Sequence, residues 1–208
     1  VPYTEGAFEG LQTEQGSVEA YFPGLDDHVT ETNQCLAGLY GEDGLGNPVQ
    51  VEERGGMLYV SGFVNDRPNV INLEDIAGQT IKMDDAGGYV PTAAAPLVVK
   101  VPSGTPEIVQ FNFEGWSASG DGQVLARYIL LDLSDVTGTV EIDGLEMGAI
   151  WAPEADLHFN SNITTNGQWF AQDVRTEGGG ELHHHTFLGQ LPCLTDLCPP
   201  RAPVCWVR

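Results

Sequence analysis

Lysine is nearly missing from this chain. Only Lys82 and Lys100 occur, and Lys and Arg together number 8 against 30 Asp and Glu, for a formal net charge of −22. A nucleic-acid binder gains affinity by neutralising phosphates with Lys and Arg, so this balance excludes that class. It also argues against docking on anionic membranes. Long hydrophobic runs are missing as well. The longest apolar stretches, such as Tyr128-Ile129-Leu130-Leu131, are strand-sized, far below the roughly 18 residues of a membrane-spanning helix. Charged residues make up only 18 %, which sets the chain apart from Glu/Lys-rich coiled coils. There is no Gly-x-Ser-x-Gly elbow, and Ser117 and Ser119 sit in a Gly-flanked loop that reads as a turn, so no serine triad is expected and the chain reads as non-enzymatic. The chain opens on Val1-Pro2 with no charged-then-apolar leader, as expected of a mature chain or a fragment.

What is abundant is glycine, with 26 residues, and proline, with 13, which predicts a turn-rich, mainly β fold. Four cysteines, Cys35, Cys193, Cys198 and Cys205, allow three pairings. Three of them crowd into a Pro-rich tail, which favours disulfides in an oxidising compartment over a zinc site, because zinc ribbons use tighter knuckles than Cys-x4-Cys-x6-Cys. The expected pairing is Cys193 with Cys198 as a local loop and Cys35 with Cys205.

Helical spacing is weak over Val18, Tyr21, Phe22 and Leu25. It is clearer from Asp26 to Leu39, where Val29, Cys35, Leu36 and Leu39 follow acidic residues suited to a helix N-terminus. Short β-type runs then follow at 49–52, 57–60, 70–73, 80–83, 97–101, 108–113, 124–133, 139–142, 149–151, 157–159, 168–170 and 182–187, each bounded by Gly, Pro, Asn or Asp. Short strands at this spacing suit a β-sandwich or a parallel β-solenoid. A single Asn166-Gly167 hairpin signal tips the pattern toward the solenoid, with a short helix beside it.

Three ordered motifs carry a family resemblance. Leu97-Val-Val-Lys-Val-Pro-Ser-Gly through Val109-Gln-Phe-Asn-Phe-Glu-Gly115 is a strand–Pro-x-Gly–strand–Gly segment. Gly148-Ala-Ile-Trp-Ala-Pro-Glu-Ala-Asp156 follows, and then Asn166-Gly-Gln-Trp-Phe-Ala-Gln, Gly180-Glu-Leu-His183 and Phe187-Leu-Gly189-Gln-Leu-Pro192 close the run. Together they resemble the choice-of-anchor A domain over residues of about 70–192. The family's N-terminal Gly-Arg-x-Ala-x-Gly-Gly-Asn segment has no counterpart, and the tail shows no Leu-Pro-x-Thr-Gly sorting signal. The resemblance implies a secreted or cell-surface β domain of adhesive type, similar to ice-binding β-solenoids. It divides the chain into one domain over 1–192 and a Cys/Pro-rich tail over 193–208. An adhesin binding a host, matrix or glycan ligand is the first expectation. A self-assembling subunit of an extracellular filament or surface layer is the alternative, and no nucleic acid or membrane partner is expected.

His183 and His185, with Glu181, would share one strand face at chelating spacing, yet His183 also fills the Gly-Glu-Leu-His motif, so these residues are expected to be structural rather than metal-ligating. Leu182 would then point inward. Asp132, Asp135, Glu141, Asp143 and Glu146 could hold calcium but match no calcium-loop pattern, so they read as a solvated acidic face and no cofactor is expected. Among the aromatics, Trp151 and Trp169 are expected to point into the coil core, with Ala152-Pro153 turning the chain, while Trp116, Trp206, Tyr128 and Phe170 are candidates for a binding face. Thr137, Thr139, Thr164 and Thr165 are too sparse for an ice-binding array. Asn162-Ile163-Thr164 is a formal glycosylation sequon.

Overall fold

A computed structural model describes residues 22–41, 43–72, 80–82, 89–109, 111–114 and 120–194. Helix α1 spans Leu25–Ala37, and the strands are β1 (Asn47–Pro48), β2 (Gln50–Arg54), β3 (Met57–Ser61), β4 (Asn69–Asn72), β5 (Thr80–Lys82), β6 (Leu97–Lys100), β7 (Glu107–Val109), β8 (Asn112–Glu114), β9 (Ile129–Asp132), β10 (Gly138–Asp143), β11 (Ala149–Asn160), β12 (Thr165–Gly167), β13 (Trp169–Glu177) and β14 (Leu182–His184). None of the described helices is long and apolar enough to cross a membrane.

The expected mainly β fold with one flanking helix is present. β2 and β3 form an antiparallel hairpin through Gly55 and Gly56, both with positive φ. Every other strand pair is parallel, unlike the antiparallel pairing of a β-sandwich. The largest sheet runs β1-β4-β6-β9-β11-β10-β7, with β13 beside β11, and β2-β3-β5-β8 and β12-β14 form two more sheets. This parallel, curled arrangement is consistent with a β-helical stack.

Several stretches differ from the sequence reading. The run at 108–113 is split between β7 and β8, which lie in different sheets, and the run at 168–170 is the start of the nine-residue β13. Residues 124–128 lie in a 3-10 helix, Gly120–Tyr128, and the strand begins only at Ile129. The runs at 149–151 and 157–159 are one strand, so Ala152-Pro153 does not end it. The first half of β11 pairs with β9 and the second half with β10, and the pairing with β13 shifts register between Ala152 and Asp156. Pro153 falls within that irregularity, where its missing N–H removes no ladder bond.

Strand side chains alternate between two apolar layers. Ile71, Leu97, Val99, Ile129, Leu131, Ile150 and Ala152 face an inner core that continues with Val140, Ile142, Leu157 and Phe159. Their neighbours Val70, Val98, Leu130, Ala149 and Trp151 face the other way, against Cys35, Leu36 and Leu39 of the α1 region and Phe187, Leu191 and Leu194. Each fully buried Leu, Ile or Phe contributes about 1.5–3 kcal/mol. Sequestering both faces of β4, β6, β9 and the start of β11 explains their unbroken apolar runs.

Candidate adhesive face

Among the described residues, the largest sheet presents two kinds of outer face. The first, on β4, β6, β9 and the start of β11, is covered by α1. Asp26 and Asp27 occupy the first turn of α1, where the helix dipole favours negative charge. The helix is tied down by a disulfide between Cys35 and Cys193, Cα atoms 5.4 Å apart. This corrects the expected pairing of Cys193 with Cys198 and of Cys35 with Cys205; Cys198 and Cys205 lie outside the described residues. Trp151 donates its indole N–H to Asn33 Oδ1 at 2.7 Å and stacks on Phe170 with ring centroids 4.5 Å apart. A cavity of about 30 Å³ beside them is lined by His28, Thr32, Trp151, Phe170, Phe187 and Leu191. That leaves room for about two or three water molecules and is too small for a sugar ring. Burial pulls the His28 imidazole below its usual range, with Glu31 opposing.

At the end of this layer, Asp132 is buried and accepts hydrogen bonds from Tyr40 Oη at 2.8 Å and from the Ser134 N–H at 3.0 Å. Burial and then the Asp132 carboxylate push the Tyr40 phenol far above its ordinary range, so it stays a donor. Lys100 pairs with Asp135 at 2.5 Å and lies over the Tyr40 ring.

The second outer face lies on β7, β10, the second half of β11 and the second half of β13. Val140, Ile142, Leu157 and Phe159 point into the core, so the alternate residues point out. Parallel register aligns them in rows. Glu107, Glu141, His158 and Arg175 form one row, and Thr139, Asp156 and Asp173 another. Asp143 lies beside Val109, and Asn160 beside Glu177. His158 bridges neighbouring strands, with Nδ1 2.6 Å from Glu141 Oε1 and Nε2 3.5 Å from Glu177 Oε2. Like charges stand directly opposite each other at Glu107–Glu141 and at Asp156–Asp173, an arrangement that costs stability. These outward residues are exposed or half-buried, and the face is predominantly acidic.

Over residues 3–184 the chain matches the family model described as "Putative Ice-binding-like adhesive domain". The chain belongs to this family. No curated protein and no solved structure matches it.

Within this adhesive domain, the residues singled out in the sequence disperse. Glu181 Oε2 lies 3.0 Å from His183 Nε2 on an exposed segment, while the His185 N–H donates to the Gly167 carbonyl. Among the described residues no group of three or more His, Cys, Asp or Glu could hold a metal ion. Asp132, Asp135 and Glu141 take separate partners: Tyr40 and the Ser134 N–H, Lys100, and His158 respectively. Leu182 is 38 % exposed rather than inward, because β14 pairs with β12 at the end of the stack. Trp169 does pack against the inner core, but Trp151 is buried on the outer side, beneath α1. Tyr128 is half-buried, and Phe170 is drawn into the layer under the helix. Thr139 stands in a row of aspartates, and Thr165 is buried. Residues 1–21, Ser117, Ser119, Trp116 and Trp206 lie outside the described residues.

The sequence reading anticipated an acidic face that includes Glu141 and Asp143, but not that Glu107, Asp156 and Asp173 from other strands join it. The signal of the rows was the polar alternation Thr139, Glu141, Asp143 and Asp156, His158, Asn160, which required the parallel register to align it.

Proposed function

We propose that this adhesive domain acts as a non-enzymatic module, secreted or on the cell surface, that binds a host, matrix or glycan ligand through the outer face of β7, β10, β11 and β13. One observation carries the reading: the helix and the disulfide-tied segment cover one outer face, while the other is open and lined by register-aligned polar and acidic side chains. Like-charge neighbours that cost stability are tolerable where a ligand brings the opposite charge, and electrostatic complementarity of this kind confers specificity. A basic protein surface fits best. The binding needs no cofactor. The parallel stack supports a right-handed β-solenoid, the hand favoured by parallel crossovers. The three sequence motifs support the choice-of-anchor A type within the family.

The test is a matrix-protein and glycan array probed with the wild type, with Glu107→Lys/Asp156→Lys, and with Glu52→Lys on the β2–β3 hairpin as a control. The face variant is expected to lose more than about tenfold of binding to its ligands, with steep salt dependence, while the control keeps it. Equal array profiles for all three proteins would refute the assignment of the face.

A further inference from the structure

The stack ends on β13, a nine-residue strand. Its inner edge pairs with β11, and among the described residues no strand pairs with its outer edge. Side chains from Gln172 to Glu177 are exposed. Val174 aligns with the buried Leu157 yet is itself 40 % exposed. The Val174 N–H donates to the carboxylate of its own neighbour Asp173 at 2.9 Å, which places that amide on the free edge. In a strand the N–H and C=O of one residue point to the same side, so the Val174 carbonyl faces the free edge too. An unpaired edge of this length is a template for another strand.

We propose that two copies of this chain pair antiparallel through their β13 edges, about a two-fold axis at Val174. In that register Val174 faces Val174 as a hydrogen-bonded pair, each N–H donating to the other copy's carbonyl. Asp173 of one copy then stands opposite Arg175 of the other, twice. These flanking positions are the non-hydrogen-bonded pairs, where opposing side chains come closest. Asp173 and Arg175 both point outward, in register with Asp156 and His158. The Asp173 carboxylate gives up the Val174 N–H to the second copy's carbonyl and takes the second copy's Arg175 instead. An edge guarded by charge of one sign would repel every copy, whereas acid and base flanking one central residue are self-complementary only in this antiparallel arrangement. The interface is isologous, so it closes at a dimer. The net charge of −22 opposes association at long range, so the dimer is expected to be weak and reversible. Asp173 and Arg175 also belong to the rows of the adhesive face, so the pairing is tested without ligand.

Charge exchange at the two positions tests it, by sedimentation velocity without ligand at about 0.15 M salt. The wild type is expected to show a reversible monomer–dimer equilibrium. Arg175→Asp and Asp173→Arg should each self-associate more than about tenfold more weakly, because each sets like charges opposite each other. Mixing the two variants should restore a dimer containing one chain of each, since every opposing pair is again complementary. Both sites are exposed, and unchanged melting curves confirm folding. A wild type that stays monomeric into the millimolar range would overturn the proposal. So would variants that dimerise as the wild type does, or a mixture that forms no mixed dimer.

Discussion

The indole N–H of Trp151 donates to the side-chain carbonyl of Asn33 at 2.7 Å, joining the start of β11 to α1 across 118 residues of sequence. The bond lies in the apolar layer beneath the helix, where Trp151 is 5 % exposed. Removing the ring empties a large site, so Trp151→Ala should cost about 3–5 kcal/mol. Asn33→Leu keeps the bulk but strands a buried donor, and should cost about 1–3 kcal/mol. Because the two residues are bonded, the double variant should lose less than the sum of the singles. Chemical denaturation of the four proteins measures this, and strict additivity would show that the bond carries no coupling.

The Cys35–Cys193 bridge closes a loop with a sequence separation of 158. In the chain-entropy model, a loop of that length stabilises by about 5 kcal/mol. Peptide mapping under non-reducing conditions should recover a fragment linking Cys35 to Cys193. Cys35→Ser/Cys193→Ser should lower the melting temperature markedly, and reduction of the wild type should do the same. A linkage of Cys193 to Cys198 would contradict the observed layer.

Much of the fold was legible in residue pattern, and its losses have specific causes. Asp26 to Leu39 reads as a helix because its apolar residues repeat at helical spacing behind an acidic start. The strands β3, β4 and β6 were legible near 57–60, 70–72 and 97–100 because short runs of aliphatic, β-branched and aromatic residues lie between Gly, Pro and Asn breaks. The side on which Trp151 is buried was not legible, since Ile150 and Trp151 are both buried and a strand covered on both faces shows no alternation. Residues 124–128 carry Val124, Leu125 and Ala126, apolar enough for a strand, but tertiary packing makes them a 3-10 helix. Cysteine pairing depends on distances that spacing does not encode. The full acidic face appears only when register stacks residues from four separate strands.

Acid should weaken the helix–sheet layer through His28. Burial lowers its folded pKa below the ordinary 6.5, and Glu31 only partly opposes this. The unfolded chain therefore takes up the proton first as pH falls. The stability contribution is present above about pH 6.5 and is lost as pH falls through the lower folded value. His28→Gln, which cannot titrate, should show a shallower drop in melting temperature between pH 7 and pH 5 than the wild type. Parallel slopes for the two proteins would remove His28 from this role.

Gly167 packs tightly against the backbone of Gly148. A Cβ at Gly167 would run into the Gly148 carbonyl oxygen, and that carbonyl belongs to backbone held in place by the Gly148 N–H bond to the Asn166 carbonyl at 2.9 Å. No rotamer change can relieve such a clash, so the strands themselves must separate. Their separation would disturb the β12–β14 pair, where Gly167 is in register with His184, and the inner core beneath Ile150. Gly167→Ala should therefore cost about 3 kcal/mol or more, beyond ordinary overpacking of a core side chain. Gly104 is the matched control: a Cβ there meets nothing within 4 Å, and its φ is not positive. Gly104→Ala should leave stability within about 0.5 kcal/mol of the wild type. Denaturant midpoints of the two variants decide the matter, because near-equal values would mean that the backbone at residue 167 is not packed against that at residue 148.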